Sequence, residues 1–391
     1  MGTLLTDARL VTPNGVLDPG WIKIEGAVIA ALGDGAPPPH GSGHDSVNGR
    51  WVLPGFIDLH VHGGGGDSML SADPEEIRDA AAFHALHGTT GLLASVMTAP
   101  LDEMITALAA IRDAMRLPGT ARSIVLGSHL EGPFLNVRRA GAHDPASLRM
   151  PNPVALDRLL ESADGTLRSI TIAPELPGAL DLIRRAVDAG VVVALGHSDA
   201  DREAAVAAFD AGASLVTHLF NAMSPMDHRR PGLATTALVR PGVVCELIND
   251  GVHLHDDSAR LAFAAAGPSR IALVTDAIPA TGLEDGEHRL GSARVEVAAG
   301  VARLAGTETL VGSTLTMDAA VRRAVHALSL PIGEASSAAS ATPARVLGLA
   351  DRRGSLAPGL DADIVVLDEE LCVEAVMIGG ERTTSGRLFD R

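Results

Sequence analysis

The sequence predicts an α/β protein built on a (β/α)8 TIM barrel, with a small β-sandwich domain formed from both ends of the chain. Two observations support this prediction. Residues 55–344 contain eight apolar runs of strand length, most of them separated by alanine-rich patterns with helical spacing. The two ends, residues 1–54 and 345–391, consist instead of short β-like segments. A chain of 391 residues is long enough for a barrel and an accessory domain.

The eight strand-like runs are almost continuously apolar, which is typical of parallel strands buried on both faces. Helical patterns such as PEEIRDAAAFHALHG and DREAAVAAFDAG separate most of them, and glycine recurs where those helices should end. After the eighth run, LGSARVEVAAGVARLAGTETLVG predicts a β-hairpin inserted into the barrel. In chain order the runs are GFIDLHVH, TTGLLASVM, RSIVLGSHLEG, LRSITIAPE, GVVVALGHSD, ASLVTHLFN, GVVCELIND and RIALVTDA.

The composition excludes several classes of protein. The net charge of −17 argues against nucleic-acid binding, which requires a basic surface. No apolar run reaches the roughly 18 residues that a membrane-spanning helix needs. The first residues lack the pattern of a signal peptide, and two cysteines do not make a disulfide framework. We therefore expect a cytoplasmic protein that contacts neither nucleic acid nor membrane.

Polar side chains gather at the ends of the strand-like runs. Because the C-terminal ends of barrel strands surround one mouth, these side chains should lie close together there. A single histidine at a strand end is typically only a polar residue with a hydrogen-bond partner. Only the whole set therefore predicts a functional site. The set comprises His60, His62, His129, Glu131, His197, His218, Asn249, Asp250, His253 and Asp276.

Imidazole and carboxylate groups buried at one mouth would cost several kcal/mol if unpaired, and a cation removes that cost. The sequence therefore predicts a divalent metal site without thiolate ligands, which suits Zn, Fe(II), Co or Mn. His60 and His62 with Asp276 could hold one ion, and His197 with His218 a second, with Glu131 as the bridge. Two ions about 3.5–4 Å apart would activate a bridging water. Asp276 could then act as the general acid/base.

The glycines that follow the first run are compatible with two interpretations. Gly63 to Gly66 could let the chain turn sharply at the mouth, or they could cradle a phosphate. They lack the spacing and the lysine of a P-loop, so we expect a turn.

Several motifs resemble a known family, in order and over nearly the whole chain. PGFIDLHVHG, the aspartate of the eighth run and GSLAPGLDADIVVLD resemble the amidohydrolase superfamily. Within it, HLEGPFLN, GAHDP, GHSDA, THLFNAM, RRPGL, NDGVH, VTDA and GSTLTM resemble the N-acetylglucosamine-6-phosphate deacetylases. The resemblance implies hydrolysis of the N-acetyl group of a phosphorylated amino sugar by a homodimer.

The resemblance also implies roles for individual residues. Glu131, His197 and His218 would hold the metal ion common to the family, and His60 with His62 would hold the second ion that some members carry. His143 would contact and polarise the acetamide carbonyl, and Asp276 would be the general acid/base. The implied contacts to the phosphorylated sugar are Asn221, Ala222, His253 and Arg229, the last in its own or the partner subunit.

Three alternatives remain open. The substrate could be N-acetylgalactosamine 6-phosphate, which differs at one hydroxyl. The chain could hydrolyse another amide, such as a cyclic one; relatives of that kind bridge their metals with a carboxylated lysine on the fourth strand, whereas Lys23 is the only lysine here and lies far upstream. It could also be a non-catalytic metal-binding scaffold, which would not be expected to keep Asp276.

Overall fold

The computed structural model describes residues 2–38, 45–117 and 123–383, and it confirms the predicted barrel. Eight parallel strands are hydrogen-bonded in chain order. The barrel closes where the end of the first strand meets the segment after the eighth: Asp276 N–H donates to His60 O and His62 N–H donates to Ala277 O, both at 2.8 Å. The strands are Phe56–Val61, Thr89–Met97, Ile124–Glu131, Leu167–Ile172, Val192–Leu195, Leu215–Val216, Val244–Ile248 and Ile271–Val274.

Helices surround the barrel, and side chains at several N-termini satisfy backbone N–H groups of the first turn. The carboxylate of Asp73 accepts from Glu75 N–H, and that of Asp201 accepts from Ala204 N–H. Buried alanines on the inward faces allow the helices to lie close to the strands. The α-helices are Pro74–Leu86, Leu101–Arg116, Pro153–Ala163, Ala179–Asp188, Arg202–Asp210, Leu233–Val239, Asp256–Ala266, Met317–His326, Ile332–Ala339 and Ala341–Val346, with 3-10 turns at Val137–Arg139 and Pro268–Arg270.

Strands from both chain ends combine in a separate sheet, as predicted. Trp51–Pro54 from the N-terminal end pairs antiparallel with Ile364–Leu367 from the C-terminal end. The Arg50 guanidinium and the Glu374 carboxylate add an ion pair of 2.8 Å between the two ends. A hydrophobic cluster distinct from that of the barrel forms the core of this domain. Its strands are Gly2–Thr12, Gly15–Glu25, Val28–Asp34, Asp45–Ser46, Trp51–Pro54, Ile364–Leu367, Val373–Ile378 and Glu381–Arg382.

The exact domain boundaries, at 54/55 and 344/345, stay predictions. The helix Ala341–Val346 crosses the second of them, and Ala344 and Leu347 belong to the hydrophobic core of the barrel. Helical packing against the barrel therefore extends a few residues beyond residue 344. Among the described residues, no helix has both the length and the apolar character required to cross a bilayer.

The insertion after the eighth strand is larger than the hairpin predicted from the sequence. It forms a three-stranded antiparallel sheet of Gly286–Leu290, Ala293–Ala298 and Val301–Leu304. The first of these strands, GEHRL, has only one buried residue, Leu290, so it lacks a clear apolar signal. Leu290 packs in a cluster that includes Met97 from the second barrel strand, which holds the insertion against the mouth of the barrel.

The glycine run forms a tight turn, in agreement with the prediction. Gly63–Gly64 pairs with Asp67–Ser68, and Gly65 and Gly66 between them have φ values of +67° and +104°. A Cβ atom on Gly64 would lie 2.6 Å from the Phe83 ring, so the position has no room for a side chain. Glycine is required here because the turn packs directly on the helix that follows it.

His84 links this helix to the glycine turn and should make stability depend on pH. Its Nε2–H donates to Gly63 O at 3.0 Å, and burial lowers its pKa to about 4 from the ordinary 6.5. The unfolded chain therefore binds a proton at higher pH than the folded chain. We expect the contribution of His84 to the free energy of unfolding to be complete above pH 6.5 and to fall by up to roughly 3 kcal/mol as the pH approaches 4.

The His84→Gln variant tests this expectation, because glutamine keeps an N–H donor for Gly63 but does not titrate. Urea unfolding of metal-stripped protein between about pH 4 and 8 should show a steeper acid loss for the wild type than for the variant. Parallel pH profiles would contradict the neutral, buried state of His84.

Candidate metal centre and substrate cavity

The structure brings the six predicted metal ligands together at the mouth of the barrel. His60 lies in the first barrel strand and Glu131 ends the third. The other four lie one or two residues beyond the ends of the first, fifth, sixth and eighth strands. All six side chains are buried, with at most 7% of the residue surface exposed. They are His60, His62, Glu131, His197, His218 and Asp276.

Three of these residues have left-handed backbone conformations. The φ values are +47° for His197, +27° for His218 and +51° for Asp276. Non-glycine residues adopt such values rarely and at a cost, and they do so most often at functional sites. Hydrogen bonds to the neighbouring backbone hold them: Asn136 N–H donates to His197 O, and Asn221 N–H donates to His218 O, both at 3.0 Å. The conformation turns each side chain from the strand end into the mouth.

The first cluster of donor atoms consists of His60, His62 and Asp276, whose ligand atoms lie within 4.8 Å of one another. The Nε2 atoms of the two histidines are 3.0 Å apart. Asp276 Oδ1 lies 3.3 Å from His62 Nε2 and 3.6 Å from His60 Nε2.

The second cluster is centred on Glu131. Its Oε1 lies 2.9 Å from His197 Nε2 and 3.0 Å from His218 Nε2, and these two nitrogens are 3.0 Å apart. The other oxygen, Oε2, lies 3.2 Å from His62 Nε2 in the first cluster. Oε1 also lies 3.6 Å from His60 Nε2, so the Glu131 carboxylate lies between the two clusters, as expected of a bridging ligand.

The hydrogen bonds behind the histidines indicate that the centre is built for cations. His62 Nδ1 lies 3.1 Å from Ser95 O, and His197 Nδ1 lies 2.8 Å from Arg139 O. A carbonyl only accepts, so both Nδ1 atoms carry the proton, and in the neutral ring the Nε2 lone pair faces the Glu131 carboxylate. Lone pairs and carboxylate oxygens about 3 Å apart repel unless a cation or a proton lies between them. The donor set fits divalent ions such as Zn, Fe(II), Co or Mn.

In the metal-free chain, protons take the place of an ion in the first cluster. Burial disfavours a charged His62, but the carboxylates of Asp276 and Glu131 outweigh burial and raise its pKa to about 9. The pKa of His60 is likewise raised against the effect of burial. Burial also acts to raise the pKa of Asp276, yet His60 and His62 hold that pKa well below its usual range. The first cluster therefore binds protons strongly where it would otherwise bind metal.

His143 contacts the second cluster but differs from the metal ligands in its tautomer. Its Nε2 lies 3.2 Å from Glu131 Oε2, close enough to be grouped with Glu131 and His197. Its Nδ1, however, accepts a hydrogen bond from Thr98 N–H at 3.3 Å. The proton is therefore on Nε2, and His143 presents an N–H donor rather than a lone pair to the centre. This agrees with a substrate contact better than with a ligand role.

His129 lies in the barrel interior and is not a metal ligand. Both of its ring nitrogens are engaged, Nδ1 with Ser95 Oγ at 3.0 Å and Nε2 with Thr171 Oγ1 at 2.9 Å. It and Glu131 are two residues apart and face the same side of the strand, so the sequence pattern alone does not distinguish them.

A cavity of about 350 Å³ opens over the metal centre. His143, Asn221, Ala222 and His253 line it, together with five of the six predicted ligands. His253 Nδ1 lies 2.7 Å from Asp250 Oδ2, and this interaction raises the pKa of His253 although burial opposes the charge. His253 and Asp250 therefore form a largely buried ion pair at this end of the cavity.

Arg229 is the one predicted substrate contact that does not line this cavity. It lies on an exposed loop, where the Asp227 carboxylate accepts hydrogen bonds from Arg229 N–H and Arg230 N–H at 2.8 and 3.0 Å. Within a single chain the structure does not bring Arg229 to the substrate cavity.

Three charged residues of the site are not among those predicted from the sequence. Arg138 and Arg139 line the cavity, and both contact the Asp199 carboxylate. Glu246 is a buried carboxylate beside His60. Signals for all three were present, since the arginines lie between the HLEGPFLN and GAHDP motifs, and Glu246 interrupts the apolar run GVVCELI.

A closed (β/α)8 barrel with imidazole and carboxylate clusters that share one carboxylate defines a metal-dependent hydrolase of the barrel type. The chain belongs to the Amidohydrolase family, whose model matches residues 51–383. The family resemblance seen in the motifs is thereby confirmed.

Individual relatives are similar over nearly their whole length. The structure of an N-acetyl-D-glucosamine-6-phosphate deacetylase mutant from Mycobacterium smegmatis, in complex with N-acetyl-D-glucosamine-6-phosphate, is 42% identical with a TM-score of 0.93, covering 98% of this chain and 100% of that one. The human N-acetylglucosamine-6-phosphate deacetylase is 40% identical (97% of this chain, 92% of the relative). The N-acetylgalactosamine-6-phosphate deacetylase of Escherichia coli O157:H7 is 38% identical (97% and 99%).

Metal binding by the stripped protein should release protons, because ions and protons compete for the same imidazoles. With a His62 pKa of about 9, most molecules carry the His62 proton at neutral pH. Zinc titrations in two buffers of different ionisation enthalpy should give heats that differ by the protons released, and metal affinity should fall as the pH is lowered.

The His62→Asn variant is the matched control and should release about one proton fewer at neutral pH than the wild type. Heats that do not depend on the buffer would contradict the protonated state of the metal-free centre.

Proposed function

We propose that the protein hydrolyses the N-acetyl group of N-acetylglucosamine 6-phosphate to glucosamine 6-phosphate and acetate. The observation that carries the proposal is Glu131, whose two oxygens face two histidine clusters at the floor of a cavity that also contains Asp276 and His143. Membership of the Amidohydrolase family and the 42% identity to a deacetylase solved with this sugar phosphate support it.

We propose two divalent ions per subunit, with zinc as the first candidate. Bound ions would polarise the acetamide carbonyl and lower the pKa of water, so that hydroxide is available at neutral pH. The geometry of the donors supports two ions. In each histidine pair the two Nε2 atoms lie 3.0 Å apart, beside a carboxylate oxygen of Asp276 or Glu131. The proposed ligands are His60, His62 and Asp276 for one ion and His197 and His218 for the other, with Glu131 between them.

Asp276 is the proposed general acid/base. It belongs to the first cluster and lines the cavity, so its carboxylate can accept the proton that water loses on attacking the acetyl carbon. When the C–N bond breaks, the same carboxyl returns the proton to the amine nitrogen. The second proton of the attacking water, carried on the new carboxyl group, also passes to the amine, so the products at neutral pH are acetate and a protonated amine.

His143 is the proposed donor to the acetamide oxygen. The Thr98 N–H fixes the proton of His143 on Nε2, which points at the metal centre. A donor positioned in this way stabilises the negative charge that develops on the carbonyl oxygen as the C–O bond forms. Because the tautomer is set by the fold, no reorganisation is needed during the reaction.

The phosphate is proposed to bind at the end of the cavity formed by Asn221, Ala222 and His253. The amide of Asn221, the backbone N–H of Ala222 and the His253 imidazole are the proposed donors. Arg229 lies outside the cavity of its own chain, so we propose that it reaches the phosphate from the partner subunit of a homodimer. Arg138, with 78% of its side chain exposed at the rim, adds positive charge from the same chain.

Two alternatives carry different weight. Deacetylation of N-acetylgalactosamine 6-phosphate is supported by the Escherichia coli relative, whose coverage and identity match those of the glucosamine enzymes. A cyclic-amide hydrolase with a lysine bridge is disfavoured, because Lys23 lies in the separate sheet, where its Nζ is 2.5 Å from Glu25 Oε1.

We propose a cytoplasmic location from the low cysteine content alone.

A substrate panel tests the proposed function. N-acetylglucosamine, N-acetylgalactosamine and N-acetylmannosamine, each with and without the 6-phosphate, should be assayed for acetate release beside a cyclic amide. We expect the highest kcat/KM for N-acetylglucosamine 6-phosphate and a loss of at least 100-fold without the phosphate, because several donors would be left unpaired. Preference for an unphosphorylated or cyclic amide would overturn the proposal, and preference for the galacto epimer would replace the substrate.

Asp276→Asn tests the proton shuttle. The amide keeps the size of the side chain but cannot take up the proton, so kcat should fall by a factor of about 100 to 10,000 while the sugar phosphate still binds. Asp181→Asn is the control, since Asp181 is an exposed carboxylate that pairs with Arg184 on an outer helix. A kcat near the wild-type value in Asp276→Asn would show that another group moves the proton.

A further inference from the structure

Glu246 is a buried carboxylate to which the proposed reaction gives no role. It lies in the seventh barrel strand, Val244–Ile248, with 1% of its surface exposed, and its neighbours in the strand are apolar. Burying a carboxylate costs several kcal/mol unless charged or hydrogen-bonding partners compensate. Its surroundings therefore show what it is used for.

One oxygen of Glu246 serves both metal clusters. Oε2 lies 3.2 Å from His60 Nδ1, and it accepts a hydrogen bond from His218 N–H, also at 3.2 Å. The backbone of Glu246 adds a third link, since its carbonyl accepts from Leu219 N–H at 2.8 Å. His60 belongs to the first cluster and His218 to the second, so this residue connects the two.

The contact to His60 sets the direction of that ligand. A carboxylate accepts the Nδ1 proton, which leaves the Nε2 lone pair directed at the first cluster. His62 and His197 are oriented by backbone carbonyls instead, from Ser95 and Arg139. Among these three histidines, His60 alone is held by a side-chain carboxylate, and a carboxylate behind a ligand imidazole strengthens it as a metal donor.

The contact to His218 supports a strained backbone. With φ at +27°, His218 has an unfavourable conformation, and the hydrogen bond from its N–H to Glu246 helps to hold it. The same side chain thus fixes the orientation of an imidazole in one cluster and the backbone of a ligand in the other.

We propose that Glu246 is a positioning residue that makes the centre bind two ions rather than one. Through His60 it raises the affinity of the first cluster for its ion. Through His218 it holds a ligand of the second cluster at the correct distance from the first cluster. This inference rests on the metal centre of the proposed function and extends it to a residue outside the ligand set.

The test is a zinc titration of metal-stripped protein in the presence of a competing chelator. The wild type should bind two ions per chain. Glu246→Gln keeps the size of the side chain and an oxygen acceptor but loses the charge. It should bind the ion of the second cluster with nearly the wild-type affinity and the ion of the first cluster about 10- to 100-fold more weakly. His60→Asn provides the one-ion reference.

Cys245→Ser is the matched control, because Cys245 is the adjacent residue of the same strand, fully buried and on the opposite face. It should bind two ions as the wild type does, which separates the charge of Glu246 from general disturbance of the strand. Should Glu246→Gln fail to fold, Glu246→Asp is the second variant. It retains the charge but moves the carboxylate away from His60, so it too should selectively lower the affinity for the ion of the first cluster.

Two results would overturn the proposal: wild-type affinities for both ions in the folded Glu246 variants, or a single ion in the wild type. Acetate release from the same samples separates this outcome from the proposed function. A wild type that binds one ion and still deacetylates would remove the two-ion proposal and with it the role of Glu246, and would leave the deacetylase assignment standing. A wild type that binds two ions and releases no acetate would remove only the deacetylase assignment.

Discussion

The carboxylate of Glu131 is the centre on which the arrangement of this molecule depends. Four histidine Nε2 atoms, from His62, His143, His197 and His218, lie within 3.2 Å of its oxygens. Three of these histidines belong to the proposed ligand set, and such a group is stable only when cations or protons separate the lone pairs from the carboxylate. The barrel supplies the required rigidity, because Glu131 and these three histidines come from the ends of four different strands, which are hydrogen-bonded side by side and closed by the contacts of His60 and His62 with the segment after the eighth strand.

The residues behind the ligands determine what each histidine can do. A backbone carbonyl at Nδ1 makes His62 and His197 into lone-pair donors, whereas a backbone N–H at Nδ1 makes His143 into a hydrogen-bond donor. The side chains are chemically identical, and the difference arises from one atom of the surrounding chain. Whether such a histidine can serve as a metal ligand or as a hydrogen-bond donor therefore depends on the atom that contacts its Nδ1, and not on the residue type.

The upper part of the cavity addresses a different problem, the recognition of an anion by a protein with a net charge of −17. Local positive charge comes from Arg138 at the rim and from His253, whose pKa is raised by Asp250. The three-stranded insertion closes another side through Leu290, which packs with Met97. Positive charge at the cavity therefore comes from loops, while the candidate metal ligands come from strand ends.

The sequence by itself determined the barrel and six of its metal-ligand candidates, because parallel buried strands have an unmistakable apolar pattern and their C-terminal ends must meet at one mouth. It also determined the family, since the motifs are local and ordered. Only the tertiary structure decided that His129 is an interior residue while Glu131 faces the centre, that the insertion has three strands, that Arg229 lies outside its own cavity, and that Glu246 joins two clusters. Each of these depends on which atoms from distant strands approach one another, and a linear pattern of residue types does not encode those distances.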